Sequence, residues 1–205
     1  MTWSEGAQEA THASLVSIFL LLLLSLRFKR PGGNMITIRP EQPDDIAAVR
    51  AINEAAFGES TEATIVDSLR DKCPDAVSLV AVEDDRILGH IFFSPVSISG
   101  GHEVTQGMGL APMAVLPERQ RQGIGSLLAR AGVDALRQRG CPFIIVLGHP
   151  EYYPRFGFVS ASEHNLSCQW DGVPDEAFMV LILDQDIMPG VSGVARYRDE
   201  FDQAM

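Results

Sequence analysis

Apolar and polar residues alternate through "MITIRP", Met35 to Pro40, which predicts a strand. The next apolar positions, Ile46, Val49, Ile52 and Phe57, fall near helical spacing, with Asp44 and Asp45 close to the N-terminus where a helix dipole favours acids. A second helix is expected over Thr61 to Lys72. Two β-rich runs then flank Asp84-Asp85-Arg86, the pattern of a hairpin. "EVTQGMGLAPMAVL" reads as a further strand, although Gly107, Gly109 and Pro112 mark a bulge or the close approach of another backbone. After a polar loop, Ile124, Leu127, Leu128, Ala131 and Ala135 form one apolar helical stripe that ends at Arg137, Arg139 and Gly140. "FIIVLG" is apolar throughout, as expected of a strand buried on both faces. A turn "HPEYYPRFGF", a strand "AFMVLILD" and a polar tail follow. Strand, loop, helix and buried strand make a βαβ unit with a right-handed crossover, so the fold class is α/β.

The pattern divides the chain into an extension over 1–34, one domain over 35–185 and a tail over 186–205. Within the extension, residues 14–26 form an apolar run of about 13 residues, short of the ~20 that cross a bilayer. Glu5 and Glu9 precede this run, and Arg27, Lys29 and Arg30 follow it, the reverse of a secretory signal. Two readings remain: translation starting at Met35, or a short anchor that holds the domain on the inner face of a membrane. Membrane contact is expected only if residues 14–26 are made.

With 205 residues, 46% of them hydrophobic, the chain can bury a full core, which excludes a disordered or fibrous protein. Its 16 basic and 27 acidic residues give a net charge of −11, a surface that repels nucleic acid and attracts cationic or neutral small partners. Cys73, Cys141 and Cys168 have neither C-x-x-C spacing nor an even count. They read as reduced thiols of a cytoplasmic protein, and no metal site is expected.

Candidate chemistry is concentrated in "PERQRQGIGSLL", where two glycines stand at a helix entrance. Unpaired amides and the positive end of the dipole make such a turn an anion site, most naturally for phosphate. Gly125 is followed by Ser126 with no lysine before it, so this is not a Walker A loop. Leu128 stands where a dinucleotide fingerprint needs its third glycine. An ordinary helix-capping loop remains the plain alternative.

Gln120-Arg121-Gln122-Gly123-Ile124-Gly125, behind a strand ending in apolar residues and a proline, resembles the acetyl-CoA loop of the GNAT superfamily of N-acetyltransferases. Tyr152-Tyr153-Pro154-Arg155-Phe156-Gly157-Phe158 is similar to that family's second motif, and both stand in the family's order. The resemblance covers roughly 35–185 and looks nearest to a bacterial branch of predicted acetyltransferases. It implies a mixed central sheet flanked by helices, with a parallel strand pair splayed at the acetyl-CoA site. It also implies that Gln120 and the backbones of Arg121, Gln122, Gly123, Gly125 and Ser126 hold the phosphates. Met113 and Val115 would supply main-chain contacts to the pantetheine arm, with the Met113 amide polarising the thioester carbonyl.

Tyr153 matches the family tyrosine that can protonate the leaving thiolate, and the plain alternative is a residue anchoring its turn. The base is less legible, because Gly109 occupies the position where some relatives carry a glutamate. His149 is the first candidate, and Glu151, Glu103 and His90 are others; His12, His102 and His164 rank lower. The expected activity is transfer of an acetyl group from acetyl-CoA to a primary amine, a small molecule or a lysine side chain, by direct attack in a ternary complex. The alternatives are a catalytically weak acyl-CoA-binding module of the same fold and a membrane-tethered scaffold. A homodimer is compatible with each.

Overall fold

The computed structural model describes residues 25–29, 34–100 and 103–203. The run 14–26 lies outside the described residues except at its last two positions, as do His12 and His102. Among the described residues, no helix is long and apolar enough to cross a membrane.

Among the described residues, ten strands form one mixed sheet. They are β1 (Leu26–Lys29), β2 (Met35–Pro40), β3 (Val77–Glu83), β4 (Arg86–Gly100), β5 (Glu103–Val115), β6 (Phe143–Leu147), β7 (Val159–Ser160), β8 (Leu166–Cys168), β9 (Phe178–Ile182) and β10 (Gly193–Arg196). Among the described residues, the α-helices are α1 (Ile46–Phe57), α2 (Thr61–Lys72) and α3 (Ile124–Gln138). The strands lie in the order β1-β2-β3-β4-β5-β6-β9-β7, and β10 pairs with both β4 and β8. β5 and β6 are parallel, as the crossover through α3 requires, and their described neighbours in that order are antiparallel.

Both faces of the sheet are covered. Leu79, Phe93, Ile144 and Val146 join Leu128, Ala131 and Leu136 of α3 in one core. Their chain neighbours Val80, Phe92, Phe143 and Ile145 join Val49 of α1 and Ile65, Val66 and Leu69 of α2 in the other. The period of two that alternates side chains between faces therefore explains why "FIIV" contains no polar position. The β3–β4 turn places Asp84 and Asp85 at φ +48° and +61°, conformations that aspartate tolerates better than most side chains.

Two boundaries differ from the sequence reading. Leu26–Lys29, assigned to the extension, pairs with Met35–Ile38, and Leu26 and Phe28 pack on the core. The stretch read as a polar tail contributes β10, whose Val194–Arg196 pair with Ser97–Ser99, and adds Tyr197 and Phe201 to the core. Its four-residue strand is too short to show periodicity and is held by partners about a hundred positions away in the chain.

Candidate active site

The site begins where two neighbouring strands part. β5 and β6 are paired only from Met108↔Ile144 to Leu110↔Val146, although β5 continues to Val115. Just beyond Leu110, Ala111 and Pro112 stand opposite the single residue Phe92 of β4, a bulge that turns the end of β5 away. Leu116 donates its N–H to Leu88 O at 2.9 Å, on the β4 side. Strand alternation therefore turns the N–H groups of Val115 and Met113 to the opposite edge, into the gap. Likewise Gly148 N–H donates to Ala177 O at 2.9 Å on the β9 side, which turns the Leu147 N–H toward the gap from the other strand.

The glycine loop closes one end of this gap. Arg121 has φ +58° and Gly123 φ +84°, two left-handed residues that coil the chain directly into α3. The Leu127 N–H is bonded to Gly123 O at 3.1 Å, so the amides of Ile124, Gly125 and Ser126 precede the first intrahelical donor and are left for a ligand. Arg121 and Arg155 form no ion pair among the described residues, whereas Arg119 is bound to Glu83 at 2.7 Å. The end is thus electropositive and rich in donors. The loop is braced by its own glutamines: Gln120 Nε2 donates to Val115 O at 3.1 Å, and Gln122 Nε2 to Glu118 O at 3.1 Å.

The cleft that joins loop and gap has a volume of about 970 Å³. Met113, Val115, Gln120, Arg121, Gly123, Gly125, Ser126, His149 and Tyr153 all line it, whereas the described lining does not include Gln122. Tyr152 Oη stands 3.5 Å from Ser126 Oγ and would be 2.8 Å from a Cβ at position 125, so a larger residue there would have to displace the Tyr152 hydroxyl. The Tyr152 ring lies edge-on to Tyr153 at 5.2 Å and beneath the Arg155 guanidinium at 4.6 Å. Tyr153 is 7% exposed, with its ring against Gly148. Burial, and then the neighbouring Tyr152, raise its phenol above the ordinary range, so it is a protonated donor at neutral pH.

The base candidates separate. His149 is exposed at the edge of the cleft, and its carbonyl accepts from Tyr152 N at 3.0 Å. Glu151 and His164 are exposed and do not line the cleft. Glu103 faces Gly100 at the opposite end of β5, ten residues or roughly 30 Å from Met113. His90 is a correction: it is fully buried, with Nδ1 3.2 Å from Asn53 Nδ2 and Nε2 2.9 Å from Ser78 Oγ. Burial, and then the Arg70 charge, push its pKa down to about 3, so it is a neutral structural imidazole away from the cleft.

Several lining residues were not foreseen. Phe57 and Ile65 come from α1 and α2, and Trp170, Tyr197 and Phe201 from the C-terminal part. Glu62, in the first turn of α2, also lines the cleft and has a buried Oε2 without a hydrogen-bond partner. The Tyr197 hydroxyl is buried too, with only the Leu147 main chain as a polar neighbour among the described residues. Each such group costs about 1–3 kcal/mol unless something else satisfies it. An acid in the first turn of a helix reads in sequence as a dipole complement, which conceals Glu62.

Comparison with known proteins agrees with this geometry. The family profile described as "Acetyltransferase (GNAT) domain" matches residues 37–161. The uncharacterised N-acetyltransferase YhbS of Escherichia coli K12 is 36% identical over 167 residues, 81% of this chain and 98% of that protein. The crystal structure of Escherichia coli YhbS in complex with CoA is similar with a TM-score of 0.77 and 34% identity, covering 85% of this chain and 96% of the other. A GNAT acetyltransferase of Brucella melitensis in complex with acetyl-CoA has a TM-score of 0.66 and 38% identity, covering 83% and 100%.

Proposed function

The chain belongs to the GNAT family of N-acetyltransferases, and from that premise we propose that it transfers the acetyl group of acetyl-CoA to a primary amine by direct attack in a ternary complex. The observation that carries the reading is the parting of β5 and β6 beyond Leu110 and Val146, beside a loop with two left-handed residues and free helix amides. This arrangement fits a long diphosphate thioester. The amides of Ile124, Gly125 and Ser126, with Arg121 and Arg155, meet the diphosphate, while the cleft-facing main chain of Met113 and Val115 meets the amide-bearing arm. Similar proteins solved with CoA and acetyl-CoA support the assignment.

Acetyl-CoA supplies an activated thioester carbonyl. The Met113 N–H, fixed by strand alternation, is positioned to stabilise negative charge on that carbonyl oxygen. The amine nitrogen lone pair forms the C–N bond, the C–S bond breaks, and the Tyr153 hydroxyl gives its proton to the departing sulfur. The proton that nitrogen sheds passes to solvent at the open edge beside His149. Tyr153 regains its proton from solvent after product leaves. A shared cleft supplies the proximity that direct transfer needs, so no protein nucleophile is required.

Titration of the purified protein with acetyl-CoA, together with release of free thiol on addition of an amine, tests the reading. Absence of acetyl-CoA binding overturns it. Binding without thiol release from any amine would favour a non-catalytic acyl-CoA module, the reading that Gly109 in place of a glutamate supports.

A further inference from the structure

The cleft has two unlike ends. Three arginines, Arg119, Arg121 and Arg155, line the loop end, whereas Glu62 is the single carboxylate among the described lining residues and lies one turn before Ile65 of α2, which shares a core with Tyr197 and Phe201. Glu62 Oε2 is buried and unpartnered. The Tyr197 hydroxyl is buried as well, with the Leu147 main chain beside it, and makes no other hydrogen bond among the described residues. The same lining includes the apolar side chains of Phe57, Ile65, Trp170 and Phe201, the last two against the Tyr197 ring.

The aromatic wall is set before any ligand arrives. Trp170 stacks on Tyr197 at 5.4 Å with 26° between the rings, and its Nε1 donates to Asp202 Oδ1 at 3.0 Å. Phe201 lies edge-on to Tyr197 at 5.3 Å, and Tyr197 N donates to Gln169 Oε1 at 2.6 Å. Such fixed rings lower the ordering cost of binding a flat apolar group.

We propose that this end is the acceptor subsite for a primary amine carried on an aromatic ring or a similarly flat apolar body, with Glu62 as the counter-charge of the ammonium group and the Tyr197 hydroxyl as a second hydrogen-bond partner. The proposal rests on the acetyl-transfer reading above. Glu62 gives the cationic amine its only anion in the described lining, and the rings cover the body. A polyol amine would leave its hydroxyls unpaired against these walls. A phosphorylated amine would meet repulsion from Glu62. The ammonium paired with Glu62 gives one proton to solvent before its nitrogen lone pair can attack; Glu62 only binds and orients the acceptor, and from the neutral amine onward the transfer step balances as given above.

The test compares 2-phenylethylamine, spermidine and kanamycin as acceptors for the full chain, by thiol release, with calorimetric titration of 2-phenylethylamine into CoA-saturated protein. The expected kcat/KM for 2-phenylethylamine is about tenfold or more above the other two. Glu62→Gln should raise its KM about tenfold and weaken its calorimetric binding equally, while kcat and the acetyl-CoA Kd stay within about twofold. Tyr197→Phe, which keeps the ring, should give a smaller rise in KM. Preference for spermidine or kanamycin, or an unchanged KM in Glu62→Gln, overturns the proposal. If acetyl-CoA binds and 2-phenylethylamine neither binds nor reacts, the acceptor proposal alone fails. If acetyl-CoA does not bind, the acetyl-transfer reading fails with it.

Discussion

A Cβ placed on Gly109 would stand 2.4 Å from Cε1 of Tyr197, so the tyrosine ring occupies the space that any larger residue at 109 would need. Gly109 pairs with Ile145 one position before the last parallel pair, which sets Tyr197 beside the mouth of the gap between β5 and β6. Where some members of the family carry a glutamate, this chain has room for an aromatic side chain from near its other end.

Gly109→Glu should therefore damage the protein rather than supply a missing base. Displacing Tyr197 from a packed core is expected to cost about 1–3 kcal/mol, with further loss from burying the new carboxylate. Thermal unfolding and thiol release check this. A stable variant with raised turnover would show that Tyr197 yields easily.

The two loop glycines should respond differently. Nothing lies within 4 Å of a Cβ at Gly123, so Gly123→Ala meets only the left-handed backbone, a penalty of about 1–2 kcal/mol in stability. Gly125→Val meets Tyr152 Oη and the Met113 side chain and intrudes on the cleft itself. Its acetyl-CoA affinity should fall by about tenfold or more in calorimetry, with the fold retained by circular dichroism.

Tyr153→Phe is expected to lower kcat about a hundredfold while leaving the acetyl-CoA Kd unchanged, because the hydroxyl acts only as the sulfur departs. The raised phenol pKa keeps the donor protonated through the neutral and mildly alkaline range. The pH–rate profile should therefore show no loss from Tyr153 in that range. Full kcat in the variant would reduce Tyr153 to a packing residue.

His90 predicts an acid-sensitive fold. Its imidazole titrates at about 3 when folded and near 6.5 when unfolded, so the unfolded chain binds one more proton between those values. Stability is fully present above about pH 6.5 and is lost as pH falls toward 3, at up to about 1.4 kcal/mol per pH unit. Asp45 and Glu200, whose pKa values are held down chiefly by Arg39 and Arg198, change stability in the same direction. The groups around His90 are Asn53, Ser78, Glu41 and Arg70. Urea unfolding of His90→Gln at several pH values should show a shallower slope than the parent, and an equal slope would contradict the assignment.

Removal of residues 1–34 takes away β1, which lies at the edge of the sheet remote from the β5–β6 gap. Acetyl-CoA affinity should stay within about twofold, while Tm falls by about 2–8 °C as the contacts of Leu26 and Phe28 are lost. Loss of binding in a folded truncation would place part of the cleft in the extension.

The donor end of the cleft was legible in the sequence because its signals are local. Gly123, Gly125, Arg121 and the apolar stripe of α3 lie within a few turns of one another, and their conformations follow from their own chemistry. The hairpin at Asp84-Asp85 and the doubly buried β6 were legible for the same reason. The acceptor end was not. Tyr197 and Trp170 acquire meaning only when the four-residue β10 pairs with β4, about a hundred positions before it, and with the three-residue β8. His90 looked like a candidate base because sequence cannot separate a histidine facing a cleft from one sealed behind Phe92 and Asn53.

The order of these parts along the chain has a further consequence for synthesis. The parting strands, the glycine loop and Tyr153 all precede position 154, while Trp170, Tyr197 and Phe201 come afterwards, the last two in the final nine residues. A polypeptide leaving the ribosome thus presents the residues of the thioester cradle before those of the wall that faces the amine. Yet β6 is held by β9 and β4 by β10, so the cradle itself settles only when those later strands join the sheet, and the two ends of the cleft are fixed together.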